Sequence, residues 1–277
     1  MTWFVNYLKS DAINVSDRGF SYGDGVFETL LVDNACIISS NFHRQRLMRA
    51  CQRLFIPFTK QDLDNAFQFI QDNVPPDGRQ CVKLILSRGS GGRGYLPPLN
   101  PNLTIVIGFL SAPDYLAYAE QGVSLTISNI KASMNSSLAG LKHLNRLENV
   151  LAKQDLAMVN QTQDAETFFE SILLDDAGCL VECVQSNLFW FKNNVLFTPL
   201  LNRSGVQGTL RSRVLNVSPD NVNVGRFVLD DVLIADEIFI CNSLMSIVPV
   251  TFVVNNQKQY RFAYGEKTKH LQMLIHK

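Results

Sequence analysis

Residues Glu166–Pro199 read ETFFESILLDDAGCLVECVQSNLFWFKNNVLFTP, and this stretch decides the fold class. Its apolar runs, ETFFESILL, CLVECV, NLFWFK and VLFTP, are rich in β-formers and are punctuated by DDAG (Asp175–Gly178) and Asn193-Asn194, both turn signals. A cluster of strands with no helix between them breaks the regular βαβ alternation of a doubly wound sheet and points to an α+β protein.

Outward from that cluster the pattern stays mixed. Upstream, VSLTISNI reads as a strand, and GLKHLNRLENVLAK (Gly140–Lys153) opens an amphipathic helix with Leu147, Val150, Leu151 and Met158 in register. Nearer the N-terminus, TWFVNY and VFETLLVDNACII read as strands joined by the Gly-rich turn of FSYGDG. A helix is expected over about 42–54, capped by Asn41 or Ser40, with Leu47, Ala50, Cys51 and Leu54 on one face. A second opens with Thr59-Lys60-Gln61-Asp62, a capping box with Asp in place of Glu, carries Leu63, Ala66, Phe67 and Ile70 inward, and ends at Pro75-Pro76. CVKLILSRG and NLTIVIGFL are strands around the loop SRGSGGRGYLPPLN. Downstream, a helix runs from Gly208 to about Val217, DEIFICNS and VPVTFVV are strands, and EKTKHLQMLIH closes as a helix. Ser111–Gln121 (SAPDYLAYAEQ) is the best linker, so the expected organisation is an N-terminal α+β domain over 1–112, a linker over 113–121 and a C-terminal domain over 122–277.

The 277 residues suffice for one large domain or two ordinary ones, each with its own core. Lys plus Arg and Asp plus Glu are both 25, so the formal net charge is zero. That balance argues against a nucleic-acid binder, whose affinity rests on neutralising phosphates. Six scattered cysteines without a C-x-x-C pair suit a reduced intracellular compartment. No basic segment followed by a long apolar run opens the chain, so no signal peptide is expected, and no apolar run approaches the ~20 residues of a membrane span. The four histidines lack metal-ligand spacing, and no metal is expected.

Three features carry chemistry. Lys142 follows the small, apolar Leu138-Ala139-Gly140-Leu141; the ordinary reading is a solvated lysine, and the alternative is an amine held for reaction. Glu182 interrupts the apolar run CLVECV, where strict alternation puts it on one face with Leu180 and Val184. The common reading is a glutamate facing water; the functional one is a buried carboxylate paired with a cation or a protonated ring nitrogen. In SGVQGTLRSRV, Gly205 and Gly208 lead into a helix at Thr209, whose first-turn N–H groups would face an anion, although an ordinary capped helix has the same signature. Arg46, in HRQRL, could pair with the same anion. An amine, a carboxylate and an anion cradle together suit pyridoxal phosphate, while other anionic ligands also use helix ends.

The motifs SDRGFSYGDGVFET, HRQRL, LKHLNRLENVL, VECVQSNLFWF, GVQGTLR and ICNSLMSIVPV stand in the order found in fold-type IV pyridoxal-phosphate enzymes, and the resemblance covers nearly the whole chain. That group includes the branched-chain and D-amino acid aminotransferases. SRGSGGRGY with AGLKHLNRLENVL and CNSLMSIVPV is most similar to its aminodeoxychorismate lyase family. The resemblance implies a two-lobed fold with a smaller N-terminal lobe and a larger C-terminal mixed-sheet lobe. It makes Lys142 the Schiff-base lysine, Glu182 the partner of the ring nitrogen and Arg46 the phosphate-binding arginine. Gly208, Thr209 and Leu210 lead the phosphate-binding helix entry, and Asn242 and Ser243 form a second loop near the phosphate. Asn187 matches an asparagine close to the cofactor, and Arg146 stands about where the aminotransferases carry a tyrosine. The implied substrate is aminodeoxychorismate, whose two carboxylates call for donors. Arg93 in the GSGGRGY loop is the main candidate, with Tyr22 and Arg18 weaker ones. A homodimer in the cytoplasm, without nucleic-acid or membrane partners, completes the expectation.

Overall fold

The computed structural model describes residues 1–161, 167–218 and 222–276, so Glu166, at the head of the expected strand ETFFESILL, lies outside the described residues. Two compact units emerge, one of Met1–Pro113 with Leu141–Asn145, the other of Asp114–Gly140 with Arg146–Lys277.

The first unit contains β1 (Thr2–Val5), β2 (Leu8–Lys9), α1 (Arg18–Tyr22), β3 (Gly25–Asp33), β4 (Cys36–Ile37), α2 (Ser40–Arg53), α3 (Lys60–Asn73), β5 (Arg79–Ser90) and β6 (Asn102–Ser111). Its antiparallel sheet runs in the order β2-β1-β6-β5-β3-β4. One face, with Leu30, Leu84, Leu86 and Ile107, packs on Leu47, Ala50, Phe67 and Ile70 of α2 and α3. The capping box forms as expected: Thr59 accepts from the Asp62 N–H, and the Asp62 carboxylate accepts from the Thr59 N–H. The cap of α2 is Ser39, ahead of both expected residues, Ser40 and Asn41, and its side chain makes no capping bond.

Two expectations fail here. FSYGDG is no turn joining two neighbouring strands. Asp17 caps the short α1 by accepting from the Gly19 N–H, and Gly23, at φ 65°, ends it. β1 pairs with β2 and β6, and β3 with β4 and β5, so the two strands are not neighbours. VFETLLVDNACII is likewise a hairpin, broken by left-handed Asn34 and Ala35.

The second unit contains α4 (Leu116–Gln121), β7 (Val123–Ile127), α5 (Leu147–Gln161), β8 (Glu170–Leu174), β9 (Leu180–Cys183), β10 (Asn187–Lys192), β11 (Val195–Pro199), α6 (Thr209–Val217), β12 (Val222–Gly225), α7 (Leu229–Leu233), β13 (Glu237–Asn242), β14 (Ser246–Asn255), β15 (Lys258–Arg261) and α8 (Glu266–His276). The expected linker therefore contains a helical turn, α4. The sheet is mixed, in the order β12-β11-β10-β13-β14-β7-β8-β9 with β15 also on β14. β10 reads as a continuous apolar run because both its faces are covered. Leu188 and Trp190 enter one core with Ile238 and Ile240, while Phe189 and Phe191 enter another with Leu210, Val214, Leu271 and Ile275 of α6 and α8.

The expected inward face of α5 is wrong. Leu147, Val150, Leu151 and Met158 are exposed, and Ala152, Asp155 and Leu156 are buried. Asp155 goes inside because its carboxylate accepts from Ser128 Oγ and from the N–H and side-chain amide of Asn129. Among the described residues no helix is long and apolar enough to cross a membrane.

Candidate active site

Lys142 does not start a helix. Its segment is extended along β3: the Phe27 N–H donates to the Lys142 carbonyl (2.9 Å), His143 bridges Val26, and the Leu144 N–H donates to the Gly25 carbonyl. With its backbone groups committed to β3, the chain begins α5 only at Leu147. The Lys142 ammonium lies 4.3 Å from the centroid of the Phe27 ring, a cation–π position on an apolar strand.

The neighbour of Phe27 on β3 is Glu28, buried and gripped from α2. Arg46 Nε donates to one Glu28 oxygen at 2.7 Å, and Arg46 Nη2 and His43 Nδ1 engage the other. Burial would raise the Glu28 carboxyl, but the Arg46 and His43 charges and hydrogen bonds outweigh it and hold it at about 2. Burial also lowers His43, and the Arg46 and Lys142 charges add to that against the pull of Glu28. Arg46 thus enters this cluster as the partner of a carboxylate that the sequence reading missed. The signal was present: Glu28 interrupts VFETLLV as Glu182 interrupts CLVECV, and His43 and Arg46 share a helix face at i, i+3.

In the second unit Glu182 is buried at 6% exposure rather than facing water. The expected alternation fails because the register slips: Leu173 faces Glu182 but Leu174 faces Leu180, leaving Val181 as an extra residue. This β-bulge puts Leu180 and Cys183 in one core and Val181 and Val184 in another. It also turns Glu182 toward the loop before α6, where its Oε2 accepts from the Val206 N–H (3.0 Å) and the Asn187 amide (3.2 Å). Asn187 also donates to the Val206 carbonyl (2.8 Å) and accepts from the Gly208 N–H (3.1 Å). Gly208 has an ordinary φ of −62°, yet a Cβ there would stand 2.1 Å from Asn187 Oδ1. The Gly140 N–H donates to the Gly205 carbonyl, and the Gly140 carbonyl accepts from the Gln207 N–H.

Thr209 and Leu210, both buried, form the first turn of α6. Asn242 accepts from the Leu244 and Met245 N–H groups and donates to the Gln185 carbonyl, which ties the Asn242-Ser243 turn to the β9–β10 connection. One unit thus gathers Lys142, Phe27, Glu28, His43 and Arg46; the other gathers Glu182, Asn187, Gly208, Thr209, Leu210, Asn242 and Ser243. Arg146 precedes α5 with its guanidinium 4.0 Å from Glu148. Tyr22 and Arg93 belong to the first unit: the Tyr22 ring lies 5.6 Å from Tyr95, and Arg93 sits exposed in the Gly-rich loop.

A profile of the amino-transferase class IV family matches residues 25–253. The chain is 34% identical over 276 residues, 98% of each protein, to aminodeoxychorismate lyase of Vibrio harveyi. It is 28% identical over 270 residues to D-alanine aminotransferase of Bacillus licheniformis, covering 95% of this chain and 90% of that protein. Among solved structures, 4-amino-4-deoxychorismate lyase from Pseudomonas aeruginosa superposes with a TM-score of 0.88 at 33% identity, covering 99% of this chain and 97% of that one.

Proposed function

Because the chain belongs to the amino-transferase class IV family, we propose that it is a pyridoxal-phosphate-dependent lyase that converts 4-amino-4-deoxychorismate to 4-aminobenzoate and pyruvate. The cofactor reading rests on the buried Glu182 carboxylate, oriented by Val206 and Asn187 beside the start of a nine-residue helix. The residues fit the group: a lysine amine on an aromatic face for the aldehyde, a buried carboxylate for the ring nitrogen, and first-turn amides of Thr209 and Leu210 for the phosphate. Arg46, Asn242 and Ser243 are further phosphate partners in this reading, and Arg146 and Asn187 lie near the ring.

When bound, pyridoxal phosphate supplies an aldehyde for the substrate amine and a sink for electrons released at the amine-bearing carbon. Lys142 moves the protons. Its Nζ takes one from that carbon and returns one to the departing enolpyruvyl group, which leaves as pyruvate while the ring becomes aromatic. Glu182 keeps a negative charge against a protonated ring nitrogen, and Asn187 and Val206 fix its direction. Glu28 holds the Arg46 guanidinium in place. Arg93 and Tyr22 are the substrate-facing residues in this reading.

Full-length likeness to lyases favours this reaction over transamination, which would use the same lysine and glutamate. Mixing the purified protein with aminodeoxychorismate and following 4-aminobenzoate and pyruvate is the direct test. Conversion of bound cofactor to its pyridoxamine form by an amino acid, with no pyruvate from aminodeoxychorismate, would replace the lyase by an aminotransferase. Lys142→Ala should abolish both the visible absorbance of lysine-linked cofactor and pyruvate formation while leaving the fold intact. A wild-type rate in that variant refutes the role given to Lys142.

The reading includes a cytoplasmic homodimer. The exposed Leu147, Val150, Leu151 and Met158 on α5 support self-association, and six cysteines free of disulfides suit a reducing compartment. Sedimentation at several concentrations tests the dimer.

A further inference from the structure

Arg18 is nearly buried although it is a guanidinium next to an exposed loop. Its Nε donates to Asp24 at 2.8 Å, and its two terminal nitrogens donate to the carbonyls of Gly94 (3.0 Å) and Tyr95 (2.8 Å). Asp24 is held from its other side by Arg88, through Nε at 2.8 Å and Nη2 at 3.0 Å. Arg88 in turn donates to the carbonyls of Leu54 and Phe55, where α2 ends. Burial works against the Asp24 charge, but the two arginines overcome it and keep the carboxyl below its usual range. A continuous relay therefore runs from the end of α2 through Arg88, Asp24 and Arg18 to the two residues that follow Arg93.

The loop needs such a clasp. Gly91, Gly92 and Gly94 have φ of 122°, 75° and 73°, so its backbone has little intrinsic preference for one shape. Its apolar residues do not anchor it either, since Tyr95 and Leu96 are more than three-quarters exposed. The Arg18 guanidinium supplies the missing order: it lies 5.0 Å from the Tyr22 ring centroid, and Tyr22 meets Tyr95. A Cβ on Gly92 would stand 3.5 Å from Arg18 Nη1, so the loop folds directly over the guanidinium.

We infer that Arg18 is a positioning residue that clasps the Gly94 and Tyr95 carbonyls and so fixes where Arg93 presents its charge to a substrate carboxylate. The role of Arg93 rests on the function proposed above; the clasp does not. Through its bonds to Asp24, Gly94 and Tyr95, the buried Arg18 shapes the substrate-binding loop. Lysine at this position keeps the charge opposite Asp24 but, as a point donor on a flexible stem, cannot fork across two carbonyls.

The test uses cofactor-loaded wild type, Arg18→Lys and Arg18→Gln, with Arg93→Gln marking the cleavage site. Trypsin cuts after Arg93 only when the loop leaves its clasp, so both Arg18 variants should be nicked there at least about tenfold faster than wild type, because cleavage samples the open loop. Their cofactor absorbance should stay near wild type, and both should remain folded at the assay temperature because Arg88 still holds Asp24. KM for aminodeoxychorismate should rise about tenfold while kcat changes by less than about threefold, the mark of lost uniform binding. Wild-type nicking rates in both variants overturn the clasp. Faster nicking with unchanged KM overturns the link to Arg93. Faster nicking in a protein with no lyase activity leaves the clasp standing and removes the proposed function instead.

Discussion

Replacing Gly208 by alanine tests the geometry around Glu182 without touching a charged group. The new methyl would sit 2.1 Å from Asn187 Oδ1, well inside contact distance. Asn187 is 5% exposed and held by three hydrogen bonds, to the Gly208 N–H, the Val206 carbonyl and the Glu182 carboxylate, so it cannot swing aside without breaking them. Two neutral bonds at ~1 kcal/mol each and one to a carboxylate at ~1.5–3 kcal/mol put the loss at about 3–5 kcal/mol. Alanine tolerates φ −62°, and its stiffer unfolded chain offsets ~0.4–1 kcal/mol. The net loss is then about 2–4 kcal/mol, or a drop in Tm of roughly 5–15 °C for a chain of this size. Urea unfolding of Gly208→Ala, Asn187→Ala and the double variant reads this directly. The double variant should be little worse than Asn187→Ala, since the collision is gone. A loss below ~0.5 kcal/mol in the single variant, or additive losses in the pair, refutes the reasoning.

Three further outcomes follow from the buried charges. Arg46→Ala leaves the buried Glu28 carboxylate with His43 as its hydrogen-bond partner and should cost about 3–5 kcal/mol in urea unfolding. The Glu28 carboxyl is held at about 2, below its ordinary 4.5, so its contribution is complete above about pH 4.5 and is lost as pH falls toward 2. Wild type should therefore lose about 3 kcal/mol over that window, and Arg46→Ala much less. Glu170 runs the other way: burial, outweighing its bond from Ser186, pushes it up to about 7. Its contribution is complete below about pH 4.5 and disappears as pH rises through 7, so Glu170→Gln should gain about 2–3 kcal/mol over wild type at pH 8 and almost nothing at pH 4.5. Equal stability of the two proteins at pH 8 would remove that assignment.

What the sequence revealed was local chemistry. The Thr59–Asp62 box, the turn at Asn193-Asn194 and the α6 start at Gly208-Thr209 each depend on a few adjacent residues, and each forms. What it hid depends on partners far along the chain. Periodicity put the apolar residues of α5 inward, but Asp155 takes that place because Ser128 and Asn129, some 26 residues away, satisfy it. The Lys142 segment has a helical pattern, yet β3 captures its hydrogen bonds. The motif order singled out Glu182, Asn187 and Arg46, and the structure gives the first two a shared network. Glu28 and His43 escaped notice because a carboxylate in a strand and a histidine in a helix become a cluster only after folding.

The extra residue in β9 makes the direction of Glu182 a matter of phase. Val181 works like an inserted letter that shifts every later position of the strand, and with it the face that each side chain reaches. Deleting Val181 would leave the composition of the site intact, yet regular pleating would aim the carboxylate away from Val206 and Asn187. The DDAG turn is specified as well: the buried Asp175 carboxylate accepts from the Ala177 and Cys179 N–H groups, and Gly178 takes a φ of 76°. The hairpin therefore fixes its length twice, at the bulge and at the turn. Variants of this chain that differ in length are expected to carry the difference outside this hairpin.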